Sequence, residues 1–191
     1  SPAATGRSEV VVDPSRLAVL RHQAHVAWTL CEYHLDGLGD AECRWEPAEG
    51  AWTVRATRSG VWHADWVEPE PDPVPATTIG WLTWHLGFWM SMVYDHAFAE
   101  RRLTRQDITW PGSADATVEW IRGCHRRWTG AVESLVDADL DDPARADWPY
   151  RDGRPFGYFL AWYSVELTKN AAEIGQLRTL YRVAGPSAGG R

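Results

Sequence analysis

Four long stretches of the chain repeat their apolar residues at the three-four spacing of a helix that buries one stripe. The first runs from Ser15 to Leu38, with Leu17, Leu20, Ala24, Cys31, Leu35 and Leu38 inward, Asp13 or Ser15 as cap, and Gly37 and Gly39 as stop. The second begins at the Thr77-Thr78 cap and reaches about Arg101, along a seam of Ile79, Leu82, Leu86, Trp89, Val93 and His96. Ser113 caps the third, with Asp115 in its first turn, and Val118, Ile121, His125, Trp128, Val132 and Leu135 form its stripe. The fourth spans Phe156 to Val183, buries Phe156, Leu160, Tyr163, Leu167, Ile174, Leu177 and Tyr181, and carries Arg178 and Arg182 in the C-terminal turns that suit cations. Four such helices predict an all-α four-helix bundle with a long first crossover connection and a short second connection.

The first connection, Asp40 to Ala76, holds four tryptophans and the run EPEPDPVP, which cannot lie inside a helix. Its length predicts function or small elements of its own, among them a hairpin over Val54 to Trp66 around Arg58-Ser59-Gly60. The termini, SPAATGRSE and GPSAGGR, read as disordered tails over residues 1–12 and 185–191 that flank a domain at 13–184, and the first lacks the charge and apolar core of a signal peptide.

Composition narrows the function. With 45% hydrophobic residues the chain builds a substantial core, and a net charge of −7 argues against nucleic acid as partner. The most apolar run, Ile79 to Tyr94, is shorter than a bilayer span and contains His85, so no membrane is expected. Cys31, Cys43 and Cys124 follow no metal or redox spacing and read as reduced thiols in a cytoplasmic protein. Thirteen tryptophans point to a heavily aromatic core or an aromatic-lined cavity.

The candidate chemistry sits on the fourth helix, which carries the only lysine, Lys169, beside the only asparagine, Asn170, with Glu166 and Glu173 a turn away on either side. At about 100° per residue the four share an arc of roughly 100° at the edge of the buried stripe, and Asn170 stands on the stripe itself. That placement is costly unless these groups satisfy one another, a ligand or a metal. His85 flanks the stripe of the second helix in the same way, and bundle cores host sites built from such facing residues.

The run TTIGWLTWHLGFW on the second helix, followed on the fourth by KNAAEIGQLRTLYR, resembles the DinB-like superfamily of bacterial four-helix bundles over nearly the whole chain, Leu17 to Val183. The resemblance implies an up-down-down-up bundle, a cytoplasmic homodimer, and a divalent metal, zinc or nickel, held by one histidine of the second helix and two of the fourth. It also implies thiol S-transferases that use bacillithiol or mycothiol. By position His85 matches the first histidine, whereas the fourth-helix pair, six and two residues before Gly175, is Lys169 and Glu173. An ammonium offers no lone pair, so the three-histidine site cannot form unchanged.

Three readings follow. In one, His85, Glu166 and Glu173 bind a divalent metal (zinc, manganese or iron) with Asn170 assisting, and the open site activates water or a low-molecular-weight thiol. In another there is no metal; Lys169 replaces its charge and pairs with the glutamates at the floor of an aromatic pocket, able to orient an anionic or carbonyl-bearing ligand. In the third the cluster is a solvated helix edge. The functional expectation is a transferase or hydrolase acting on a small molecule, with Lys169, Asn170, Trp89 and Trp162 as substrate contacts. The alternative is a protein that sequesters an aromatic metabolite in a tryptophan-rich cavity.

Overall fold

The computed structural model describes residues 14–184; the tails expected at 1–12 and 185–191 lie outside the described residues. Four long helices dominate: α1 (Arg16–Leu35), α3 (Ile79–Phe98), α4 (Ala114–Glu133) and α5 (Phe156–Ala184). Between α1 and α3 lie the single turn α2 (Asp40–Cys43) and the antiparallel strands β1 (Val54–Ala56) and β2 (Trp62–Ala64). The hydroxyls of Ser15, Thr78 and Ser113 each accept the backbone N–H three residues on, so all three expected caps form. The hairpin also forms, with Arg55 opposite His63 and Gly60 at φ +83° in its turn.

Side-chain pairs set the helix directions. Arg16 meets Asp137 and Asp141 beside the start of α5, and His34 meets Arg178 near its end, so α1 and α5 run parallel. Gly87 with Trp120, Ser91 with Cys124, and Phe98 with Trp128 make α3 and α4 parallel as well. The order is up-down-down-up. One detail departs from expectation: the first connection is long but returns to the end of the bundle where it began, where Asp40 Oδ1 accepts from the amide of Ala114. The lengthwise traverse falls to the shorter second connection, Ala99 to Ser113. Extended chain of that length reaches roughly 50 Å, against about 30 Å for the 20 residues of α3.

α3 is the axis of the molecule. Sixteen of its 20 residues are buried, which identifies a helix covered all round rather than one with a single inward stripe. One side packs on α4 and α5; the other lies under Trp52, Trp66 and Trp148, whose rings stand 4.8–6.3 Å from those of Trp81, Trp84, Phe88 and Trp89. Most of the aromatic surplus of this helix is therefore covered by the chain's own connections. Three buried indoles find hydrogen-bond acceptors for their polar edges: Trp81 donates to the Asp65 carbonyl at 2.8 Å, Trp84 to the Ile108 carbonyl at 2.9 Å, and Trp110 to Thr83 Oγ1 at 3.1 Å. Backbone pairing of Trp52 with Thr77 and of Trp62 with Trp110 ties the two connections to each other and to the N-terminal end of α3.

Arg178 does not act on its own helix terminus. It is buried, pairs with Glu42 Oε1 at 2.8 Å, and donates to the carbonyls of His34, Asp36 and Gly37, closing the C-terminal end of α1. Among the described residues no helix is long and apolar enough to cross a membrane.

Candidate functional site

Where α3 crosses α5, His85 is held from both sides. Trp89, one turn further along α3, donates its indole N–H to Nε2 at 2.5 Å, and Nδ1 stands 2.9 Å from Asn170 Oδ1. An indole can only donate, so Nε2 is an acceptor and the ring hydrogen sits on Nδ1, donating to Asn170. Asn170 fits that polarity, because its Nδ2 donates to the Glu166 carbonyl at 2.8 Å. The asparagine that interrupts the apolar stripe of α5 is thus fully buried and satisfied by the one histidine it faces.

The ring is also stacked on Trp81, 4.8 Å away and 14° from parallel. Burial drives the His85 pKa down to about 4; the Asn170 bond opposes that shift and the nearby Lys169 cation adds to it. His85 is a neutral imidazole at neutral pH, with both nitrogens engaged.

The predicted site residues divide into two groups on either side of this contact. His85, Lys169 and Glu173, the three positions that match the family's ligands, all line one cavity of about 520 Å³ between α3, α5 and the first connection. Its other walls include Trp52, Trp81, Leu82 and Gln176. Lys169 pairs with Glu173 at 3.3 Å, both side chains about half exposed, a geometry that contributes roughly 0.3–0.5 kcal/mol. Glu166, Asn170, Trp89 and Trp162 instead line a crevice of about 10 Å³, room for a single water at most. Trp89 and Trp162 pack edge to face there at 5.0 Å, and so serve as packing rather than as walls of a ligand cavity.

The metal reading meets a donor set that does not fit it. Neither His85 nitrogen offers a free lone pair, Glu173 is paired with an ammonium, and Glu166 lines the crevice and not the cavity. Among the described residues, no group of three or more His, Cys, Asp and Glu side chains is placed to hold a metal ion.

The family model described as the DinB superfamily matches residues 23–174. The chain belongs to the DinB superfamily. No curated protein and no solved structure matches it. The positions that the resemblance aligns with metal ligands hold, at the α3–α5 crossing, a neutral, doubly hydrogen-bonded histidine and a Lys-Glu pair.

An aromatic-lined cavity was expected, but its wall is Trp52 and Trp81 and not Trp89 and Trp162. Trp81 was within reach of the spacing argument, since it sits one turn before His85 and must share its face. Trp52 comes from an irregular segment, where no periodicity tells which way a side chain points.

Proposed function

We propose that this DinB-superfamily protein binds a small molecule in the cavity between α3, α5 and the first connection, and does so without a resident metal. The observation that supports this reading is the double engagement of His85, which turns the position of a metal ligand into a hydrogen-bonded clasp between two helices. The cavity keeps the make-up of a small-molecule site: an apolar wall of Trp52, Trp81 and Leu82 opposite a few polar groups, Lys169, Glu173 and Gln176. A ligand with a flat apolar body and one carbonyl or carboxylate end matches that division, with Lys169 meeting the polar end. The function that follows is capture of the ligand rather than chemistry on it.

Elemental analysis of tag-free, chelator-free protein, together with fluorescence titration of a fragment set, tests the reading. Expected are no stoichiometric metal and a saturable quenching by aromatic carboxylates that Lys169→Ala weakens about tenfold. One metal per chain, lost in both His85→Ala and Glu173→Ala, would sink it and restore the expected metal-assisted transferase or hydrolase.

The homodimer belongs to the same proposal. Val26, Leu30 and Tyr33 on α1 and Tyr158, Val165 and Leu180 on α5 are exposed and fall at helical spacing on one face of each helix. Val19, on the same face of α1, lines one cavity with Tyr158, so the two stripes adjoin along the parallel pair. A second copy of the chain laid on this strip buries it. Sedimentation should give a dimer that Leu30→Glu converts to a folded monomer; a monomeric parent protein ends that part of the proposal.

A further inference from the structure

The bundle closes tightly along α1–α5, α3–α4 and α3–α5, whereas the antiparallel seam between α1 and α4 is spanned by long side chains. Arg21 reaches across to donate through Nη2 to the carbonyls of Val132, Glu133 and Leu135, the Trp28 and His125 rings stack at 3.7 Å, and Arg122 pairs with Glu32. The rungs leave a gap of about 220 Å³ between α1 and α4, walled by Ala24, Trp128 and Val132 and shared by Arg21, His25, His125, Thr129 and Glu133.

Two polar atoms of residues lining this gap are buried without a hydrogen-bond partner: Arg21 Nε and His125 Nδ1. Buried polar atoms left unpartnered are rare because an unmade bond is costly, and two bordering one cavity point to a guest that bonds to both. A single bridging water needs only about 10–15 Å³, far less than this gap offers.

We propose that the α1–α4 seam holds a binding site for a small organic monocarboxylate, gripped by Arg21 Nε–H and His125. The chemistry follows from the groups present. The guanidinium selects an anion, and its Nη2 is committed to the α4 carbonyls, leaving Nε–H for the guest. Thr129 Oγ1 lies 3.3 Å from His125 Nε2, and when that hydroxyl donates, Nδ1 carries the hydrogen and becomes the second donor. Trp128, Ala24 and Val132 suit a short apolar body, and Glu133 at the rim disfavours a doubly charged guest such as phosphate. The site shares no lining residue with the α3–α5 cavity, so the two proposals stand or fall separately.

The test is titration of the full chain with benzoate and, separately, with uncharged benzyl alcohol, read by the NMR signals of the Arg21 Nε–H and the Trp128 indole. Two variants accompany it: Ala24→Leu, which fills the gap, and His125→Phe, which keeps a ring against Trp28 and removes the nitrogen. Expected is a saturable shift of both signals with benzoate alone, and at least a tenfold loss of affinity in each variant that remains folded. No saturable shift, an equal response to benzyl alcohol, or undiminished affinity in the folded variants would mean that the gap holds only water and would overturn the proposal.

Discussion

At the scale of single residues the molecule turns on Asn170. Replaced by leucine, it completes the apolar stripe of α5 yet leaves the His85 Nδ1–H buried without an acceptor. Such an orphan costs about 1–3 kcal/mol, more than the added apolar contact returns at a site already closed. Asn170→Leu is therefore expected to lower stability by about that amount in urea unfolding. The double variant with His85→Phe should recover part of the loss, because it removes the Nδ1–H together with its acceptor while leaving the Trp89 indole N–H without one; additive losses would show that the pair is not coupled. That Asn170 was out of place was legible in the sequence, since helical spacing alone puts it among leucines. Its partner was not, because periodicity describes each helix by itself and says nothing about which residues meet across a crossing. Arg178 is the same case with a different outcome: its position suggested interaction with the end of its own helix, and only the packing shows it closing α1.

Between elements, the closest approaches are made where glycine removes a side chain. A Cβ on Gly87 would stand 2.1 Å from the Trp120 ring, and one on Gly175 would stand 2.4 Å from the His34 ring. Alanine in a helix interior gains up to about 1 kcal/mol over glycine, while overpacking costs about 1–3 kcal/mol, so the clash prevails. Gly87→Ala should lower the melting temperature, and adding Trp120→Leu should reverse the sign of the effect. A Gly87→Ala protein at least as stable as the parent would show that α3 and α4 separate freely. The clamp at the C-terminal end of α1 predicts more. Arg178→Met strips Glu42 of its partner in a buried position and unties three carbonyls, a change expected to cost about 3–5 kcal/mol in denaturant unfolding. Removing the orphaned charge as well, with Glu42→Gln, should return part of it. The helix ends were readable because Ser15, Thr78 and Ser113 are good caps in front of periodic apolar runs. The all-round burial of α3 was not, since its outer cover comes from Trp52, Trp66 and Trp148 in segments without a repeat.

For the whole molecule, a buried and a half-buried histidine, His85 and His125, set the response to acid. Burial lowers both His85 and His125 to about 4, whereas an unfolded chain takes up these protons near pH 6.5. Between those values the unfolded state binds more protons than the folded one, so stability is complete above about pH 6.5 and falls as the pH drops towards 4. For His85, a shift of this size amounts to roughly 3 kcal/mol. Urea midpoints from pH 7 to 4.5 should decline in the parent protein and less steeply in His125→Phe; equal slopes would remove His125 from the account. Exposed carboxylates lowered by arginine partners, such as Asp152 beside Arg154, act below this window, which keeps the two effects apart.

The parallel pairing of α1 with α5 also has a consequence in time. The helix that packs along α1 is the last one made, and every residue from Asp36 to Pro155 is synthesised between them. At about 5–20 residues per second the ribosome takes roughly six to twenty-four seconds over that interval. Throughout it α1 lacks the helix along which it packs most extensively, and until then the side chains that bridge to α4 are there to hold it.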